Sequence, residues 1–356
     1  MPDAVASSPR PLLVGYYGEH NLGDDALLEV LLSQLPPGCL PTVTARDRQL
    51  VAARFGVPCV DRTRVRDVLV ALQPATALVL GGGSLLQDST SFRSLLYYAA
   101  LIVSARLQAK PVLLWAQGLG PLRRRRSRLL VRWLLRCSTA CSWRDPASAT
   151  LARSLGWRDG DGAVGSDPVW AMPTQAWHGH GGPIVLCFRP TSQLQGEAWR
   201  PWLEALAALA PERELLWLPL HAGQDRGLLD QLRRQGVLCA ALAERSRELL
   251  PERPADLIDV CARSGLVLAM RLHGLILAAL GGAPVAALSY DPKVRAAAEA
   301  LGCAVHDLAR PPQPGVLLAS WRACLDLPPS DRRLRQLRDA TGVHRQLLER
   351  HLGAAV

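Results

Sequence analysis

Apolar residues arrive along this chain in short blocks, each ended by glycine or a polar cluster and followed by a stretch with helical spacing. Leu12-Leu13-Val14-Gly15-Tyr16-Tyr17-Gly18 predicts a first strand, and a helix is expected from about Asp24 to Leu35. Ala77-Leu78-Val79-Leu80 runs into Gly81-Gly82-Gly83-Ser84, and Val112-Leu113-Leu114-Trp115 runs into Ala116-Gln117-Gly118-Leu119-Gly120-Pro121. A short strand over Ser138–Ser142 precedes a helix over Ala147–Leu155. Strands that stop in glycine ahead of helices describe a parallel sheet whose C-terminal rim faces a ligand.

The plan then repeats. A stretch rich in Pro, Gly and His, Met172 to Pro183, separates the first pattern from Ile184-Val185-Leu186-Cys187-Phe188. Leu215–Leu218, Gly265–Met270 and Val285–Leu288 follow as further buried strands, and a helical tail is expected over about Ser330–Leu352. The expectation is therefore α/β, with two Rossmann-like domains facing across a cleft: residues 1–172, a linker at 173–183, and 184–356 with the C-terminal helices. The tail has the composition to pack on either half.

One interruption of the apolar pattern stands out. Arg271, Leu272, His273 and Gly274 break the run from Gly265 to Leu288 at a strand-to-helix turn. Desolvating Arg and His is expensive without compensation, so they either face a polar cleft, or Arg271 pairs with a carboxylate and His273 is a satisfied core histidine. Arg144, in Trp143-Arg144-Asp145 after a strand, and Lys293, in Tyr290-Asp291-Pro292-Lys293, would join Arg271 around a small, multiply charged anion if the halves face each other. Arg offers the planar fork that suits carboxylate and phosphate.

At Gly18–Ala26 the loop lacks the Lys-Ser/Thr of a P-loop and the spacing of a dinucleotide fold. Its Asn21, Asp24 and Asp25 suit hydroxyl-bearing ligands, or else Asn21 or Asp24 caps the helix. Glycines 81–83, with Gln87 and Asp88 one turn on, let backbone N–H groups approach a ligand, and Gln117-Gly118 does the same; a tight connection explains both equally well. His221 and Asp225 follow a strand end and are candidates to line the cleft.

Composition narrows the classes. A chain of 356 residues, 49% hydrophobic and 20% charged, builds compact cores. Nine scattered cysteines without a paired spacing point to a reducing compartment and no metal. With no apolar run of spanning length and no leader-like segment in the first ten residues, a cytoplasmic protein is expected. The net charge of +10 implies an anionic partner. Few aromatics (5%) and no recognition motif argue against nucleic acid. Arg123–Arg126, Arg128, Arg132 and Arg136 form a basic helix over 123–136 beside an apolar stripe of Leu129, Leu130, Val131, Trp133, Leu134 and Leu135. It reads either as a membrane-surface helix, giving a peripheral location on the inner face, or as a solvated basic face whose Leu and Trp serve the protein's own core.

Taken in order, Gly-Tyr-Tyr-Gly-x-x-Asn-x-Gly-Asp-Asp-Ala at 15–26, Gly-Gly-Gly-Ser at 81–84, Gln-Gly-x-Gly-Pro at 117–121, Trp-Arg-Asp at 143–145, Ser-Asp-Pro at 166–168, Arg-Leu-His at 271–273 and Tyr-Asp-Pro-Lys at 290–293 resemble the polysaccharide pyruvyl transferase family, CsaB type. The resemblance covers about residues 11–295. It implies a GT-B-like fold and transfer of pyruvate from phosphoenolpyruvate, as co-substrate without a cofactor, onto a lipid-linked or polymeric glycan as a ketal. It further implies donor binding by Arg144, Arg271, His273 and Lys293; because such a transfer needs an acid and an anion clamp, His273 and Arg271 are the catalytic candidates. Tyr16, Tyr17, Asn21, Asp24, Asp25, Gly82, Gly83, Gln117 and Gly118 then fall on the acceptor side. A GT-B glycosyltransferase using a nucleotide sugar and a non-catalytic glycan-binding or assembly protein are the rival readings. Nothing in the sequence sets an oligomeric state.

Overall fold

In the computed structural model, residues 8–89, 91–158 and 162–353 are described; residues 1–7, on which the expectation of no leader partly rested, lie outside them. The strands are β1 (Pro11–Tyr17), β2 (Thr42–Ala45), β3 (Cys59–Asp61), β4 (Ala77–Gly83), β5 (Val112–Gln117), β6 (Ala140–Trp143), β7 (Gly162–Val164), β8 (Ile184–Cys187), β9 (Leu215–Trp217), β10 (Ser246–Glu248), β11 (Leu266–Ala269), β12 (Val285–Ser289) and β13 (Ala304–Asp307). They make two parallel sheets, ordered β3-β2-β1-β4-β5-β6-β7 and β10-β9-β8-β11-β12-β13. Near-continuous apolar strands such as Leu266-Val267-Leu268-Ala269, fully buried, are what a sheet covered by helices on both faces requires.

In each sheet the chain winds outward on one side of its first strand and then returns to the other. The reversal falls between β1 and β4 in the first sheet and between β8 and β11 in the second. Beyond the carboxyl ends of those strands lies the crevice where open α/β sheets bind ligands. In the second sheet Ala269 pairs opposite Cys187, so the residues two places on, Arg271 and Arg189, leave the sheet at the reversal.

The chain forms two compact units. The first comprises Met1–Glu19, Asp24–Ala171 and Arg338–Val356; the second comprises His20–Gly23 and Met172–Leu337. Two differences from the expected division follow. The end of the tail belongs to the first unit, where the helix Gly342–Leu352 buries Leu347, Leu348, Leu352 and His344. The stretch expected as a linker is docked on the second unit instead: Gln175 N–H donates to Leu280 O (2.9 Å), His178 N–H to Ala262 O (2.9 Å) and the Trp177 indole to Ser264 O (2.8 Å). Pro and Gly marked a change of unit here, but backbone pairing rather than composition decides whether a segment is loose.

The helix expected at 24–35 spans Leu22–Ser33. After β4 the helix starts only at Phe92, with Ser91 as its N-cap, so glycines 81–83 end a strand and do not open a helix. Among the described residues no helix is long and apolar enough to cross a membrane.

Candidate active site

In the second unit, Arg271 is the N-cap of the helix Leu272–Leu280 and has extended backbone. Its side chain offers no acceptor, so no side-chain hydrogen bond caps the first turn. Both readings of Arg271 hold together. It pairs side-on with Asp225, Nε donating to Oδ2 at 2.9 Å and Nη2 to Oδ1, and it also lines a recess of about 120 Å³. Asp225, whose side chain is fully buried, is oriented in turn by the His221 N–H (2.9 Å). This pairing aims the guanidinium while spending only its Nε and Nη2 edge.

The recess is lined by Asn21, Leu220, Arg271, Leu272, His273, Tyr290, Asp291, Lys293 and Val294. It therefore sits at the start of two helices, Leu272–Leu280 and Pro292–Leu301, whose positive ends favour an anion. Lys293 and Arg271 add full charges; Asp291, capping the Lys293 N–H (2.9 Å), is the carboxylate among them. Small residues bring these parts together. A Cβ on Gly274 would stand 3.0 Å from Cys187 Cβ, so glycine lets the helix close onto β8. A Cβ on Gly23 would collide with the His273 imidazole.

Two residues at this rim escape notice in the sequence. Arg189 Nη1 donates to the Tyr290 hydroxyl (3.0 Å), and its Nη2 donates to Gln224 Oε1 (3.1 Å), which also receives Arg271 Nη2 at 3.5 Å. The available signal was position: Arg189 directly follows the first strand of the second half and Phe188. His221 lies at the edge of this network, accepting from Gly223 N–H through Nδ1 (3.1 Å) as the cap of a short helix.

Several residues expected on the acceptor side are structural. Tyr17 is 1% exposed and its hydroxyl donates to Gly81 O (3.0 Å); burial, then Asp24, pushes the phenol well above its ordinary pKa. Gln117 is buried and spends its amide N–H groups on Leu80 O and Trp115 O. Gly82 makes room for Leu27, and Asp25 is held by Arg54 at 2.7 Å. Asn21 accepts from Gly23 N–H (3.2 Å), the capping role, while also lining the recess. Asp88 accepts from Arg123 and Arg124 N–H (2.9 Å each). Although burial opposes it, these bonds hold its carboxyl below the usual range. Tyr16 stays exposed with the Arg62 guanidinium 4.3 Å over its ring, and Asp24 and Gly83 stay partly accessible.

Arg144 belongs to the first unit and is not a loose cation. It is buried, with Nη1 3.2 Å from Asp167 Oδ2 and Nη2 donating to Ser84 Oγ (3.0 Å). The guanidinium lies on Gly118, where a Cβ would stand 2.6 Å from Nε. This explains why glycine, Ser84 and Asp167 stand where they do. One more buried histidine escaped the sequence reading: His344 is bonded through Nδ1 to Ser142 Oγ and through Nε2 to Ser166 O, both at 2.8 Å. Among the described residues no group of three or more His, Cys, Asp or Glu is placed to hold a metal ion.

Structural similarity places the fold. The chain resembles Anabaena HepE, solved in complex with UDP and glucose, at 14% identity and TM-score 0.61 over 97% of this chain and 95% of that one. It resembles Staphylococcus aureus MnaA, solved with UDP, at 14% identity and TM-score 0.64 over 96% and 94%. A putative UDP-N-acetylglucosamine 2-epimerase from Listeria monocytogenes gives 14% identity and TM-score 0.63 over 97% of both chains. At this identity the likeness establishes the fold, which is GT-B. No curated protein matches the sequence. A sequence model of polysaccharide pyruvyl transferases, however, matches residues 21–292, from Asn21 at the recess through Arg271 and His273 to Pro292 beside Lys293. On that match, the chain belongs to the polysaccharide pyruvyl transferase family.

Proposed function

We propose that this transferase, of the CsaB type, moves the pyruvyl group of phosphoenolpyruvate onto two hydroxyls of one sugar in a cell-surface glycan, lipid-linked or polymeric. The observation that carries the reading is the recess of the second unit, where Arg271, Lys293 and two helix starts gather positive charge beside one imidazole. Phosphoenolpyruvate presents a carboxylate and a phosphate close together, which matches that set.

The reaction needs an acid and an anion clamp. A proton delivered to the methylene carbon makes the neighbouring carbon electrophilic, and a first sugar hydroxyl adds there. The C–O bond to phosphate breaks and a second hydroxyl closes the ketal. Of the two protons the hydroxyls lose, one balances the new methyl group and the other leaves with phosphate. His273 is the proton donor or relay. Arg271 and Lys293 hold donor charge and stabilise what departs. Asp24 or Asp25, the latter held by Arg54 at 2.7 Å, takes the proton of the acceptor hydroxyl.

The UDP-bound neighbours make a nucleotide sugar the competing donor. Calorimetry with each donor separates them: phosphoenolpyruvate is expected to bind and UDP-sugars not to. Inorganic phosphate release should require both phosphoenolpyruvate and glycan. His273→Gln should lower turnover roughly 10²- to 10⁴-fold while donor affinity changes little. Binding of UDP-sugars in place of phosphoenolpyruvate, or full turnover in His273→Gln, overturns the reading.

A further inference from the structure

Between Asp88 and Asp145 the chain contains no Asp or Glu but eleven Arg and Lys. Both flanking carboxylates are consumed locally, Asp88 by the Arg123 and Arg124 N–H groups and Asp145 as cap of the helix Pro146–Ser154. The stretch contains two long helices, Phe92–Leu107 and Arg125–Cys137. They connect β4 to β5 and β5 to β6, neighbours in one direction along the sheet, so right-handed crossovers lay both on the same face. The Arg126 guanidinium, 4.2 Å over the Phe92 ring, joins them.

Their outward surface carries the exposed basic face that one sequence reading expected, and adds to it apolar side chains that this reading had placed in the core. The helix Arg125–Cys137 buries Ser127, Val131, Leu134 and Leu135, and these leave Leu129 (66% exposed) and Trp133 (47%) on the opposite side. Arg128, Arg132 and Arg136 flank them, all exposed. The neighbouring helix exposes Leu96 (47%) and Leu107 (84%), with Arg93 and Arg106. Exposed Leu and Trp interleaved with Arg, and no carboxylate on either helix, match a bilayer interface, where Trp sits at headgroup depth and Arg stems reach outward. A nucleic acid would use the arginines but leave the leucines in water.

We propose that this two-helix face docks the protein on an anionic lipid surface. Docking by this face is independent of the catalytic reading, and its test involves no turnover. The full chain is mixed with vesicles of equal parts phosphatidylglycerol and phosphatidylcholine, or of phosphatidylcholine alone, and the bound fraction is read by co-flotation. Binding is expected to the anionic vesicles only and to weaken with salt. Arg128→Gln/Arg132→Gln/Arg136→Gln should lower the partition coefficient about 10²-fold, about fivefold per cation, while the Lys versions of the same positions retain binding. Leu129→Ser/Trp133→Ser should lower it tenfold or more and leave retention on duplex DNA unchanged. If that variant melts below the parent protein, Leu96→Ser/Leu107→Ser on the neighbouring helix is expected to give the same fall. No flotation with anionic vesicles, or flotation indifferent to both apolar pairs, overturns the proposal; the second outcome would mark a purely electrostatic, nucleic-acid-like surface.

Discussion

Gly23 has no room for a side chain, because the His273 ring occupies the space a Cβ would fill. Gly23→Ala must therefore move the imidazole, while Asn21 can still cap the turn. The expected outcome is a folded protein with unchanged far-UV circular dichroism whose phosphate release falls at least tenfold, as a small misplacement of a reacting group does. At the same scale the sequence spoke unevenly. Arg271 and His273 were legible because charge in an apolar run demands an explanation. Arg189 was not, since an Arg after a strand and before Pro190 is unremarkable until the strand order places it at the reversal. Tyr17 and Gln117 misled for a related reason. Polar groups near a rim look like ligand contacts, but their bonds to Gly81, Leu80 and Trp115 carbonyls exist only in the folded sheet.

At the level of the element, the helix Gly342–Leu352 is held to the first sheet by His344, whose buried ring lies between Ser142 Oγ and Ser166 O. Burial pulls its pKa down from 6.5 to about 4, with the Ser166 bond and Asp167 opposing. The folded protein thus keeps the ring neutral where the unfolded chain would protonate it. Between about pH 6.5 and 4 the unfolded state binds more protons, so this contribution is complete above the unfolded value and is lost as pH falls through the window. The size at the acid limit is on the order of 3 kcal/mol. Urea melts of His344→Gln against the parent protein at pH 7.5 and pH 5 should show the parent losing stability on acidification and the variant losing less. An equal pH slope for both proteins would count against it. Arg144 behaves as an element-level fastener too, since its bonds to Asp167 and Ser84 tie the end of β6 to the turn after β7 and to the end of β4.

For the molecule as a whole, the division of the chain is not sequential. Arg338–Val356 completes the first unit although it follows the whole of the second in sequence. Deleting residues 342–356 removes the buried side chains Leu347, Leu348 and Leu352, each worth about 1.5–3 kcal/mol. Calorimetric scanning should show the unfolding of the first unit shifted down. Phosphoenolpyruvate binding to the recess of the second unit should persist, because none of its lining residues lies in the deleted stretch. Loss of both together would contradict that assignment.

Strand and helix order, the repeated α/β plan, the Arg271–His273 turn and the family motifs were all readable from the chain, because they rest on local patterning and spacing. Four matters needed the folded backbone. It decided that Arg189 and Gln224 join Arg271, that Arg144 is spoken for by Asp167, that the tail closes the first unit, and that Leu129 and Trp133 face outward. Each depends on which distant segments meet, and a sequence states the composition of a helix face without stating which neighbour, if any, will cover it.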